Sequence, residues 1–218
     1  MTVIYFLLIP LLTWILLGNI YYGLKHKKVR FDIYFGVPGS GKTTFAAYLT
    51  RKCFKKKKKR SKRVLSNVPI KGAYKCLKQD IGHYQIDNCL LLLDEAGIDY
   101  NNRNYNKFSD DETYFFKYHR HYNVDIAIFS QDYEDMDKKL RKLATRYFIV
   151  KKSILPGFVK RRQIEKRIGI DKMTKQIIDE YKFTFFLFGT KYIYCPKLWK
   201  MFDSYNYKEL PHKDFVKW

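Results

Sequence analysis

Acidic side chains are scarce in this chain, with 21 Asp and Glu against 43 Lys and Arg in 218 residues and a formal net charge of +22. Such an imbalance disfavours basic partners and favours a polyanion, either nucleic acid or an anionic membrane surface. A base-composition bias toward Lys, Tyr, Phe, Ile and Asn accounts for part of it. Cysteine is sparse too. Cys53, Cys76, Cys89 and Cys195 show no CxxC and no metal-like pairing, which argues against a disulfide framework and reads as separate thiols in a reducing compartment. There is no internal repeat, and the length suits one sizeable α/β domain with small additions rather than two full domains.

One long apolar run is present, Val3 to Tyr22, and no charged side chain precedes it. About 20 helical residues span about 30 Å, the thickness of a bilayer core. Lys25, Lys27, Lys28 and Arg30 follow at once, so the positive-inside rule sets the C-terminal side in the cytoplasm. The reading is a transmembrane anchor over 1–24 and a basic juxtamembrane linker over 25–30. A cleaved secretory signal is the competitor, but it normally opens with positive charge.

GVPGSGKTT, Gly36 to Thr44, follows the apolar run Phe31 to Phe35 and precedes a helix-compatible run from Phe45 to Lys52. This is a strand, a phosphate-cradling loop and a helix. Gly36, Gly41, Lys42 and Thr43 hold the diagnostic positions, and Val37, Pro38, Gly39, Ser40 and Thr44 complete the nucleotide-binding stretch. Gly39 and Gly41 let successive amides converge on phosphate at a helix N-terminus. Lys42 reaches the β- and γ-phosphates, and the Thr43 hydroxyl ligates Mg²⁺. ATP and Mg²⁺ are the expected ligands.

Cys89 to Leu93 is a short apolar run ending in Asp94 and Glu95, the pattern of a buried parallel strand with acids at its tip. There Asp94 serves Mg²⁺ and Glu95 is the base that activates the attacking water. Ser109 to Glu112 matches a capping box, predicting a helix toward Tyr122 that Asn123 can stop. Asp125 to Ser130 is a strand that delivers Gln131 to the nucleotide, as a sensor of γ-phosphate or water. His119 and His121, two residues apart on a helix, do not share a face, so a metal pair is poorly supported. Arg120 ends a helix at the sheet edge away from its own loop and suits a neighbouring subunit better. Arg141 and Arg146 are two further possible arginine fingers; surface charge is the competing reading for all three. Lys55 to Arg63 reads as a solvated loop, or as a site for anionic lipid or DNA phosphates.

Further along, Tyr133 to Leu143 predicts a helix, with Met136, Leu140 and Leu143 as core. Tyr147 to Val150 reads as a strand, and Lys160 to Tyr181 as basic and then helical, capped by Asp171. Phe183 to Phe188 and Tyr192 to Cys195 around Gly189-Thr190 read as a β-hairpin. The fold class is therefore α/β, a P-loop NTPase of the additional-strand, catalytic-glutamate type. Its mostly parallel sheet is flanked by helices, between an N-terminal transmembrane helix and a C-terminal hairpin.

The series GVPGSGKTT, LSNVPI (Leu65 to Ile70), LLLLDEAG (Leu90 to Gly97), HRHYNVDIAIFSQ (His119 to Gln131), LRKLATRY (Leu140 to Tyr147) and LWKMFDSYN (Leu198 to Asn206) resembles the Zot family. These are the assembly ATPases of filamentous bacteriophages, related to the gene I morphogenesis proteins. The resemblance spans roughly Asp32 to Asn206, and it divides the chain into an ATPase domain over 31–206 and a tail over 207–218. It implies a membrane-anchored ATPase that drives phage assembly and extrusion, passing single-stranded DNA into coat protein. The implied partners are further copies of the chain, phage coat proteins, single-stranded DNA directly or through its coat, and host membrane lipids. Here the anchor comes first, whereas many relatives carry it after the ATPase domain. A nucleotide or metabolite kinase and a non-catalytic membrane adaptor that recruits DNA are the alternatives.

Overall fold

Phe31–Phe35 (β1), Cys89–Leu93 (β4) and Asp125–Ser130 (β5) are apolar almost throughout because each is a parallel strand covered on both faces. The computed structural model describes residues 29–55, 62–100, 109–170, 177–184 and 189–203, with 10, 13–15 and 17–18. Arg63–Ser66 (β2), Tyr74–Lys75 (β3) and Arg146–Lys152 (β6) complete a parallel sheet of order β3-β2-β4-β5-β1-β6. Strand β5 stands between β1, which carries the phosphate loop, and β4, which carries Asp94.

Helices cover both faces. Lys42–Phe54 (α1) brings Phe45, Ala46 and Ala47 onto Tyr34, Leu92, Phe129 and Phe148. A short helix, Ala96–Asp99 (α2), follows Glu95. On the other face Asp110–Tyr118 (α3) and Lys138–Leu143 (α4) supply Phe115, Phe116 and Leu140 to a core with Ile33, Leu91, Leu93 and Ile128. The capping box of α3 is formed, with Glu112 N–H donating to Ser109 Oγ (3.1 Å) and Ser109 N–H to Glu112 Oε2 (2.9 Å). The helix ends four residues before Tyr122, and Asn123 takes the left-handed conformation (φ 54°) in the turn that follows.

Three expectations are corrected. The helix expected from Tyr133 begins only at Lys138, because the Asp137 carboxylate accepts from Lys139 N–H (2.6 Å) and caps it there. Lys160 to Tyr181 is not helical where it is described. Phe158–Ile170 (β7) and Ile177–Phe183 (β8) are antiparallel strands paired through Ile164↔Phe183 to Ile170↔Ile177; Asp171 lies outside the described residues. The hairpin expected around Gly189-Thr190 is not formed among the described residues, and 185–188 of its first strand lie outside them. Thr190–Tyr194 (β9) pairs with Phe158 to Arg162 of β7, so β8 and β9 take successive stretches of one long strand instead of each other. Pro196–Trp199 (α5) packs Leu198 behind α1.

Most of 1–24, all of 25–28, residues 56–61 of the basic loop and 204–218 lie outside the described residues. Among the described residues no helix is long and apolar enough to cross a membrane.

Candidate functional site

Four strand tips and one helix N-terminus meet at the C-terminal edge of the parallel sheet, where ligands of such sheets bind. The phosphate loop leaves β1 at Gly36, whose N–H donates to the Ser130 carbonyl of β5 (3.2 Å). A Cβ on Gly36 would lie 2.5 Å from both Ser40 Oγ and the Val150 carbonyl, so only glycine fits between loop and β6. Gly41 caps α1 at φ 97°, and a Cβ there would lie 2.4 Å from Val159 Cγ2. The first amides of α1, from Lys42 onward, have no intrahelical acceptor and carry the positive end of the helix dipole. Ser40 Oγ is buried with no hydrogen-bond partner among the described residues. An orphaned hydroxyl inside a ring of helix-opening amides fits an anion such as a phosphate chain.

Lys42 folds over this ring, its Nζ donating to the carbonyls of Gly36 (2.7 Å) and Val37 (3.3 Å). Burial pulls its pKa below the ordinary lysine value, against the opposing pull of Asp94 and Glu95. Thr43 Oγ1, one residue on, donates to Asp94 Oδ2 (2.7 Å). Asp94 Oδ1 accepts from the Glu95 N–H (3.0 Å). Burial raises the Asp94 pKa, and the Thr43 and Glu95 hydrogen bonds resist the rise. A hydroxyl and a carboxylate are hard oxygens, and side by side at the loop mouth they fit Mg²⁺ better than a softer metal.

Glu95 is exposed and holds a left-handed backbone (φ 52°), uncommon for a residue with a Cβ and typical of functional corners. Gln131 is exposed beyond β5. It lines a cleft of about 810 Å³ together with Val37, Pro38, Gly39, Tyr133 and Lys151. The fold thus brings Gly36 to Thr44, Asp94, Glu95 and Gln131 to one edge of the sheet.

Asn67 is not among the site residues that the sequence singled out; it stands there only within the LSNVPI motif. It grips the tip of β4 three times: its N–H donates to the Leu92 carbonyl (3.3 Å), its Nδ2 to the Asp94 carbonyl (2.8 Å), and its Oδ1 accepts from Asp94 N–H (2.8 Å). The available signal was a carboxamide at the tip of the strand next to β4.

The three arginines stand apart from the loop. Arg120 is exposed in the turn after α3, beside His119, whose ring packs on Phe31 at the opposite end of β1. His119 is buried, its pKa lowered by burial, with Nδ1 donating to the Phe116 carbonyl (2.8 Å). No cluster of metal-ligating side chains occurs among the described residues. Arg141 lies over the Tyr133 ring, 4.4 Å from its centroid, behind the cleft.

Arg146 is paired in two places with buried Asp32, including Nε to Oδ1 at 2.8 Å. Burial alone would lower its pKa; the Asp32 pair outweighs that and holds it above the usual arginine value. Its fork is committed inside this chain, which counts against a role in a neighbour's site. Arg146→Met should destabilise the fold by about 3 kcal/mol, because it strands the Asp32 charge. The urea midpoint checks this, and adding Asp32→Leu should recover most of the loss.

A family model described as Zonular occludens toxin (Zot) matches residues 49–181, more than half of the chain, beginning inside α1 just after the phosphate loop. No curated protein matches the chain. Among solved structures, the N-terminal domain of zonular occludens toxin from Neisseria meningitidis shares the fold with a TM-score of 0.52 at 17% identity, covering 81% of this chain and 100% of that one. The genome packaging NTPase B204 from Sulfolobus turreted icosahedral virus 2, in complex with sulfate, is less similar, with a TM-score of 0.45 at 11% identity over 71% of this chain and 96% of that one.

Proposed function

The chain belongs to the zonular occludens toxin (Zot) family, and from that premise we propose that it is a membrane-anchored ATPase of filamentous phage assembly. In this reading it couples ATP hydrolysis to the movement of single-stranded DNA into coat protein at the host membrane. The observation that carries the reading is the pairing of Thr43 with Asp94 (2.7 Å) at the mouth of a loop over which Lys42 is folded.

The loop amides and Ser40 hold the phosphates, and Lys42 exchanges its two carbonyl partners for β- and γ-phosphate oxygens. Thr43 and Asp94 hold Mg²⁺, which when bound neutralises phosphate charge. Glu95 takes the proton of the attacking water, and Gln131 orients that water from the tip of β5. The cleft beside Val37 and Tyr133 receives the rest of the nucleotide. The protein works as a homo-oligomer in which an arginine of one subunit reaches the nucleotide of the next, and exposed Arg120 is suited to that reach. The apolar run before Tyr22 anchors the assembly with the ATPase on the cytoplasmic side, in contact with membrane lipids and coat protein.

Release of inorganic phosphate from ATP with no added acceptor tests the reading, since a nucleotide or metabolite kinase requires an acceptor. Asn67→Ala removes two side-chain hydrogen bonds that fix Asp94. At about 1 kcal/mol each, phosphate release should fall by about tenfold to thirtyfold. Steady-state kinetics at saturating Mg·ATP check it.

A further inference from the structure

We propose that the open face of the β6-β7-β9 corner is a platform for single-stranded nucleic acid. The ladder sets Lys151 opposite Lys160 and Lys160 opposite Tyr192; the next row on that face sets Ile149 opposite Arg162. Strand side chains alternate between faces, and the intervening residues Val150, Val159 and Ile193 are buried on the α1 side. Antiparallel strands with one packed face and one open face are ordinary. The composition of this open face is not.

It forms a groove of about 510 Å³ lined by Lys151, Lys152, Lys160 and Arg162 with the rings of Phe183 and Tyr192, and among the described residues no acidic one lines it. Two lysines directly opposite each other on a ladder repel, and a partner that brings negative charge would lessen that repulsion. Phe183 and Tyr192 are 52% and 44% exposed. The Arg162 guanidinium lies 4.2 Å from the Phe183 ring centroid, and the Lys160 ammonium 5.6 Å from that of Tyr192. Arg162 Nε is buried with no hydrogen-bond partner among the described residues.

Cations that follow a backbone and aromatic faces that stack on bases are the two parts of a single-strand site. A duplex keeps its base faces stacked inside and cannot use the rings. An anionic membrane could use the cations, but it has no need of rings lying beneath them on a sheet. The groove also shares Ile149, Lys151 and Lys152 with the cleft beside the phosphate loop, so a strand bound here presses on a wall of the nucleotide site. The inference rests on the function proposed above for the identity of the polyanion, and is independent of hydrolysis.

The test is fluorescence anisotropy of a labelled oligothymidine of about 20 nucleotides with the full chain in zwitterionic nanodiscs. Lys160→Gln with Arg162→Gln should weaken binding at least tenfold and lower the slope of log affinity against log salt by about 1.4, as for two lost phosphate contacts. Tyr192→Ser, at an exposed ring that the fold does not need, should cost about fivefold to tenfold, while Tyr192→Phe should keep the wild-type affinity. Phosphate release without oligonucleotide should be unchanged in all three. Absent oligothymidine binding by the wild type, unaltered affinity in the double variant, or a loss seen only with anionic vesicles would overturn the proposal. A Lys42→Ala protein that still hydrolyses ATP would instead overturn the ATPase reading and leave the groove untouched.

Discussion

Lys42→Ala is expected to lower acceptor-free phosphate release by about a thousandfold, the loss typical of removing a charge that stabilises a transition state. The lysine is buried over its own loop, bonded to the Gly36 and Val37 carbonyls, with Asp94 and Glu95 as the nearby charges. Burial holds it ready for phosphate, because a desolvated ammonium gains more from a new anion than a hydrated one does. Alanine removes that cation and leaves two carbonyls that water at the open loop can satisfy, so the melting temperature should hold within a few degrees. Phage yield should be lost while the protein still reaches the membrane. Unchanged yield would favour an adaptor with a vestigial site.

Glu95→Gln should separate binding from chemistry. The substitution is isosteric, and the contact that supports Asp94 comes from the Glu95 backbone N–H (3.0 Å), which glutamine keeps. Nucleotide affinity, read with a fluorescent ATP analogue, should therefore match the wild type. Phosphate release should fall by about 10² to 10⁴, the usual contribution of a positioned general base, leaving ATP bound and uncleaved. A kinase would be spared, because its acceptor does not require water activated at this corner.

The nucleotide end of the molecule was legible because each part is a local pattern. The loop needs glycine where a Cβ would strike Ser40, Val150 or Val159, and β4 needs five buried residues before its acids. Asn67 was not legible as a site residue, since its role exists only once β2 lies beside β4. The order β4-β5-β1 is a long-range fact that no single segment states, and it came with the fold class.

The antiparallel extension was misread for a physical reason. Arg161 of β7, between Val159 and Gln163, has its guanidinium 4.1 Å from the Phe148 ring centroid. Long cationic stems can line a sheet while their heads escape it, so a strand written VKRRQIEKR shows no clean alternation. The second half of Lys160 to Tyr181 therefore reads as helical, and Ile177–Phe183 is nonetheless a strand on β7. Among the described residues Thr190–Tyr194 pairs with β7 and not with β8, because β7 is 13 residues long and offers a ladder to both neighbours. The same arrangement leaves the basic, aromatic face open.

The most direct measurement is inorganic phosphate released from ATP and Mg²⁺ by the full chain in lipid nanodiscs, with water as the only acceptor. Nucleotide occupancy is read in parallel for the wild type, Lys42→Ala and Glu95→Gln. The account predicts steady release by the wild type, loss of both binding and release in Lys42→Ala, and full occupancy without release in Glu95→Gln. No release by the wild type, or release that survives in Glu95→Gln, would contradict it.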